Sequence, residues 1–195
     1  MAMVAPTIVY DLDGTLADTA EDLVATLNWL LRREGLAPLK VETAGSLLGA
    51  GARALIKRGF AASGKVLDPE ATEDLFADYL HYYSAHIVVH TRLYPGVNKA
   101  LATFARAGWR QAVCTNKLES PAKLLIAKLG IAERFAFICG QDTFGVAKPD
   151  AKPLLMTIAA SVGFRRYVSD NHLAIPVVAD RKASAIDVLI PDTMT

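Results

Sequence analysis

The residues with the clearest chemistry lie near the start of the chain, in IVYDLDGTLADT, from Ile8 to Thr19. Asp11 and Asp13 follow an apolar run and precede Gly14. If TIVYD is a strand, both acids sit just beyond its carboxyl end, where ligands bind in open parallel sheets. Leu12 then points away from them, so the two carboxylates can face one pocket. Two close like charges resist joint ionisation unless a cation is present. A hard, oxygen-seeking cation such as Mg²⁺ suits them. An aspartate can serve directly as a nucleophile. Its difficulty with an anionic phosphoryl group is charge repulsion, which a metal and a lysine relieve. The second aspartate can then act as acid for the leaving alkoxide and as base for water. On spacing alone, a loop with two solvated acids or a helix-capping pair explains the stretch equally well.

Three more strand ends carry polar groups. AVCTNK ends an apolar run in Thr115 and Asn116, whose hydroxyl and amides can hold phosphate oxygens. GVAKPDAKP places Lys148 before Pro149, after FAFIC and ahead of a helix, where it can reach a phosphate as a point charge. YVSD closes another apolar run with Asp170, a third acid for a metal site. Taken singly, these residues read as a turn, a cap, a solvated lysine and a loop acid. Four strand ends bearing Asp, Thr, Lys and Asp are harder to assign to chance.

The elements that must position these groups alternate between strand and helix. AEDLVATLNWLLRREG carries Leu23, Leu27, Leu30 and Leu31 on one face and ends at Gly35. Thr19 and Asp22 have the spacing of a capping box. NKALATFARAG predicts a helix ending at Gly108, and RQAVCT a strand. SPAKLLIAKLG predicts a helix with Ser120 as N-cap, Pro121 at its first position and Gly130 past its end. FAFIC is a strand, and DAKPLLMTIAASVG is a helix closed by Gly163. RRYVSD, AIPVVA and IDVLI read as further strands. This alternation implies an α/β fold with a doubly wound parallel sheet covered on both faces. The stretch from Ala20 to Tyr83 interrupts it with three or four helices, AGSLLGAGARALIKRGF and PEATEDLFADYLHYYSAH among them. It is expected to be a helical cap over residues 17–90, inserted into a core formed by residues 1–16 and 91–195.

Bulk properties narrow the function classes. The chain has 195 residues, 52% hydrophobic, with a formal net charge of +1. That supports a sizeable core and gives no argument for nucleic acid or an acidic membrane surface. No apolar run reaches about 18 residues, so no membrane span is expected. MAMVAPT lacks the pattern of a signal peptide. Cys114 and Cys139 end short apolar stretches and read as buried free thiols in a reducing cytoplasm rather than a disulfide. The oligomeric state is not legible.

As an ordered set, these residues resemble the haloacid dehalogenase-like hydrolase superfamily. DLDGTLAD is similar to its first motif, Asp-x-Asp-Gly-Thr, VCTN to its second, and Lys148 in KPD to its third. The helical insert occupies the position of that superfamily's small cap. TRLYPGV, CTNK and GQDTFGVAKPD are most similar to phosphoglycolate phosphatases. The resemblance implies a Rossmann-like core and a Mg²⁺-dependent phosphomonoester hydrolase acting through an aspartyl-phosphate. It implies a small phosphorylated metabolite such as 2-phosphoglycolate as substrate. Asp11 is then the nucleophile, and Asp13 the acid and base, its backbone carbonyl a metal ligand. Thr115 and Lys148 hold the phosphoryl group, and Gly14, Asn116 and neighbouring amides complete the cradle. Asp11, Asp13 and Asp170 form the metal set.

The fourth motif departs from the family pattern. Ser169 stands for its glycine, Asp170 for its first acid, and Ala174 where a second acid is expected. IPVVAD follows with no room for the usual helix, so Asp180 is an alternative metal ligand. The C-terminal end therefore reads as shortened or altered. Alternatives on the same scaffold are a phosphosugar mutase, another phosphatase, or a catalytically impaired homologue with a binding role.

Other candidates have plainer readings. Arg53, Lys57 and Arg58 can meet an anionic substrate from the cap, Arg53 being the candidate ligand, or form a solvated helix face. His86 and His90 have helical spacing, but the intervening IVV favours strand. His172 lies close to Asp170. Trp29, Trp109, Tyr79, Tyr82 and Tyr83 read as packing residues.

Overall fold

A computed structural model describes residues 5–162. Asp170, His172, Ala174, Asp180 and the three expected strands of the C-terminal part lie outside the described residues.

The sheet forms where apolar residues run in short, β-branched stretches. Strands β1 (Thr7–Tyr10), β4 (Arg110–Cys114) and β5 (Phe137–Cys139) pair in parallel in the order β1-β4-β5. Val9 pairs with Ala112, and Cys114 with Cys139. Alternation of side chains divides the sheet into two faces. Val9, Ala112, Cys114 and Cys139 pack against Leu154 and Ile158 of helix α7 (Lys152–Ser161). Tyr10, Val113 and Ile138 face the larger cluster, with Leu101 of α5 (Val97–Arg106) and Leu125 and Ile126 of α6 (Glu119–Lys128). Gln111 is buried on that second face, where it donates to Leu101 O and accepts from the Tyr10 hydroxyl, so its amide is satisfied. Helices thus cover both faces of a parallel sheet, as the apolar strands require.

Between β1 and β4 the chain leaves through β2 (Ala17–Asp18) and returns through β3 (Arg92–Leu93), which pair antiparallel. Everything between is helical: α1 (Ala20–Arg33), the short α2 (Val41–Ala44), α3 (Ala52–Ala62) and α4 (Pro69–Ala85). Leu27, Leu30, Leu31, Ile56, Phe60, Tyr79 and Tyr83 form its core. Asp68 caps α4 by accepting from Ala71 N, and Pro69 opens the helix where a missing N–H costs nothing. The stretch AGSLLGAGARALIKRGF is not one helix. Gly49 and Gly51 have φ of +89° and +86°, and α3 begins only at Ala52. No helix among the described residues is long and apolar enough to cross a membrane.

Three local expectations need correction. Thr19 precedes α1, but its hydroxyl does not bond the helix backbone, and it donates to Asp13 instead. Asp22 does not complete a capping box. It is buried and accepts from Val89 N, His90 N, Thr91 N and the Thr91 hydroxyl. The carboxylate takes up the N–H groups at and just after the end of IVV, and 87–90 is a turn and not a strand. Ser120 does not cap α6, which starts one residue earlier. The Glu119 N–H is met by Asp142, a distant residue that leaves no local signature. Cys114 and Cys139 are free and buried, as expected. Hydrogen bonding to Cys139, then burial, pushes the Cys114 thiol up.

Asp22 anchors the chain's return from the helical block. Burial works against its charge, but the four donors from Thr91, His90 and Val89 hold its pKa below the usual carboxylate value. Replacing it leaves three backbone N–H groups without that acceptor. Asp22→Ala is expected to lower unfolding stability by about 3 kcal/mol in urea titrations. A depressed folded pKa contributes stability above the unfolded value that is lost as pH falls through the folded one. Wild-type Tm should therefore fall more steeply than that of Asp22→Asn below about pH 4.

Candidate active site

The loop after β1 folds tightly because Leu12 is driven inward. Its side chain is fully buried, and its carbonyl accepts from the amides of Leu16 and Ala17 at 3.0 and 3.1 Å. Gly14 takes φ of +78° to close the turn. With Leu12 as the buried pivot, Asp11 and Asp13 face the same pocket, which opens to solvent. Their side chains keep 30% and 20% of their exposure, enough to meet a ligand from that side.

Each aspartate meets a lysine from elsewhere in the chain. Lys148 Nζ lies 3.0 Å from Asp11 Oδ1, which also accepts from Leu12 N at 2.8 Å. Lys117 Nζ lies 3.2 Å from Asp13 Oδ1, which also accepts from the Thr19 hydroxyl at 2.7 Å. Thr115 follows β4 and lines the same pocket. Its amide bonds Cys139 O, while its Oγ1 accepts from Lys117 N and leaves the hydroxyl hydrogen to donate. The parallel register therefore brings Asp11, Asp13, Thr115 and Lys148 to one end of the sheet.

Asn116 lines the pocket, and its side chain braces two loops. Its Nδ2 donates to Gly49 O and Lys148 O, and its Oδ1 accepts from Lys148 N. The side chain is committed to the Lys148 loop and the glycine loop before α3, so it does not itself face a phosphate. The Gly14 amide is likewise committed, to Ala17 O at 2.9 Å, and this removes it from an anion cradle. Gly51 comes so close to the core that a Cβ there would lie 2.8 Å from Gln141 Oε1 and 3.1 Å from Asn116 O. Arg53 turns away from the pocket. Its guanidinium holds both carboxylate oxygens of Glu73 and covers the Phe76 ring. Lys57 and Arg58 are exposed on α3. His86 stacks on Tyr82, whereas His90 pairs with Glu21, so the two do not share a ligand.

Lys117 is the residue that motif reading missed. It is buried and donates to the Tyr83 hydroxyl at 3.0 Å. Burial opposes its charge, yet Asp13 and Tyr83 hold its pKa above the ordinary lysine value. Burial also raises the pKa of Tyr83, against the pull of Lys117, and that of Tyr79, so both present neutral hydroxyls. Tyr79 and Tyr83, expected as packing residues, do pack, but they also line the pocket. The signal available in the sequence was a lysine two residues after Thr115 and tyrosines four apart on one helix.

The acids offer hard oxygen donors, which fit Mg²⁺ and not a soft metal. Among the described residues no group of three or more His, Cys, Asp or Glu side chains gathers to hold a metal. Asp170 and Asp180, the further ligands expected from the sequence, lie outside the described residues.

Comparison with known proteins identifies the family. The haloacid dehalogenase-like hydrolase family profile matches residues 8–165. A phosphoglycolate phosphatase of Agrobacterium fabrum is 41% identical over 181 residues, covering 92% of this chain and 78% of its own. One from Mesorhizobium japonicum is 39% identical over 196 residues, covering 97% and 84%. Among solved structures, a predicted phosphoglycolate phosphatase from Haemophilus somnus superposes with a TM-score of 0.71 at 24% identity, covering 80% of this chain and 71% of its own. CbbY from Rhodobacter sphaeroides in complex with phosphate gives 0.66 at 24% identity, covering 80% and 72%. These two show the same fold. The chain belongs to the haloacid dehalogenase-like hydrolase family, is similar to its phosphoglycolate phosphatases, and is a phosphatase.

Proposed function

We propose that the chain is a Mg²⁺-dependent phosphomonoester hydrolase that works through an aspartyl-phosphate on Asp11, with 2-phosphoglycolate as its substrate. The observation that carries the reading is the meeting of three separate stretches, with Asp11, Asp13 and Thr115 lining one pocket and Lys148 paired with Asp11 beside it. The substrate assignment follows the relatives, which bear that name at 41% and 39% identity.

In this reading Asp11 attacks phosphorus and the bond to the leaving oxygen breaks. Asp13 gives that oxygen a proton as the alcohol departs. Asp13 then takes a proton from water, the water oxygen bonds to phosphorus, and the carboxylate of Asp11 is released with inorganic phosphate. Thr115 donates its hydroxyl hydrogen to a phosphoryl oxygen. Lys148, beside Asp11, neutralises charge on the phosphoryl group as it approaches a carboxylate. Bound Mg²⁺ would supply further neutralisation, held by Asp11 and Asp13 with a third acid, Asp170 or Asp180. The helices of residues 20–85 act as a cap, with the glycine loop at Gly49–Gly51 and the tyrosines of α4 over the pocket.

Two tests follow from these roles. Asp11→Asn removes the nucleophile and keeps the shape, so turnover of 2-phosphoglycolate should fall at least about 10⁴-fold while the cooperative melt persists. Turnover unchanged in that variant removes the assignment. EDTA should abolish phosphate release and added Mg²⁺ should restore it, followed by a phosphate assay. Full activity in EDTA removes the metal.

A further inference from the structure

We propose that Lys117 is a specificity residue that reads a carboxylate on the leaving group, so that the enzyme selects phosphomonoesters with a carboxylate one carbon from the ester oxygen. The proposal rests on the phosphatase reading above.

Four observations support it. Lys117 is the one cation among the described residues that line the pocket. Lys148 approaches Asp11, whereas Lys117 approaches Asp13, the side from which the leaving oxygen departs in the proposed reaction. The Lys117 ammonium has three hydrogens, and among the described residues two acceptors meet it, Asp13 Oδ1 and the Tyr83 hydroxyl. One hydrogen remains for a ligand. The rest of the wall is uncharged apart from the two aspartates: Leu23, Leu48, Leu55 and Leu80 are apolar, and Tyr79, Asn116 and Gln141 are neutral, so no other lining residue offers a full positive charge to an anionic leaving group.

The chemistry of distance makes the choice narrow. An acid that protonates the ester oxygen holds it within about 3 Å. Lys117 Nζ lies 3.2 Å from that acid. A carboxylate joined through one carbon has an oxygen only about 3 Å from the ester oxygen by ordinary bond lengths. It therefore reaches the ammonium while the ester oxygen stays on Asp13. A longer leaving group carries its charge beyond the ammonium and forfeits that pairing. An uncharged leaving group leaves the third hydrogen of a buried ammonium unused.

The competing account is that Lys117 only holds Asp13 in place, which would affect every substrate alike. A matched substrate pair separates the two. We would measure kcat/KM with Mg²⁺ for 2-phosphoglycolate and for ethyl phosphate, in which a methyl replaces the carboxylate. The wild-type enzyme should prefer 2-phosphoglycolate by about a hundredfold or more, the size of effect seen when a buried charge pair loses one partner. Lys117→Met should bring the ratio to within about tenfold of unity, with the larger loss on 2-phosphoglycolate. Lys117→Gln, which keeps a donor for Asp13 and Tyr83, should do the same and serves if the methionine variant does not melt cooperatively. Tyr83→Phe keeps the ammonium and should keep the preference.

A folded Lys117 variant with the wild-type ratio overturns the proposal, as does a wild-type enzyme that treats both esters alike. A wild-type enzyme that hydrolyses neither ester nor an aryl phosphate overturns the phosphatase reading itself, a distinct result.

Discussion

Two aspartates separated by one residue repel each other, and the site depends on how that repulsion is offset. Asp11 and Asp13 share a pocket because Leu12 is buried between them. Neither lysine that neutralises them is local. Lys148 comes from the loop after β5, and Lys117 from the loop after β4. Opposite charges at about 3 Å in a partly buried setting interact strongly, but ordering them is worthwhile only if the backbone already holds them together. The parallel pairing of β1, β4 and β5 does this, by bringing three carboxyl ends to one edge.

A second layer of polar contacts fixes that arrangement. Asn116 grips the backbone of Lys148 on both its N–H and its carbonyl, and also holds Gly49. The lysine beside Asp11 is thus tied to the loop that opens α3. On the other side, Tyr83 of α4 bonds Lys117, which pairs with Asp13. The helical block therefore touches both ion pairs through hydrogen bonds. Asp22, at the foot of α1, keeps its return strand in register by collecting the amides of 89–91. Sub-ångström placement of such groups governs proximity effects in catalysis, so contacts far from phosphorus bear on the reaction.

The parts legible in the sequence were those with short-range signatures. Apolar runs gave β1, β4 and β5, and 3.6-residue periodicity gave α1 and α4. The order of Asp11, Thr115 and Lys148 along the chain was enough to expect one site. What was not legible depended on partners far away in sequence. Asp142 capping α6 and Asp22 collecting the turn at 89–91 involve separations of 23 and up to 69 residues. Thr19 and Asp22 had the right spacing for a capping box, yet tertiary partners outcompeted the helix backbone for both side chains. Arg53 was a reasonable anion ligand by type, but Glu73 on the neighbouring helix takes its fork. Lys117 was hidden because a lysine after a strand usually points to solvent, and its burial is made tolerable by Asp13 and the Tyr83 hydroxyl, both distant in sequence.

The central claim is that these groups converge on one phosphorus atom through Asp11. The most direct measurement is chemical trapping. Enzyme quenched during turnover of 2-phosphoglycolate is treated with borohydride, which reduces an acyl phosphate to the alcohol, and the peptide containing residues 8–19 is sequenced by mass spectrometry. The account predicts homoserine at position 11 and aspartate retained at position 13. Trapped product at position 13 or at another acid, or full turnover with aspartate intact at position 11, would contradict it.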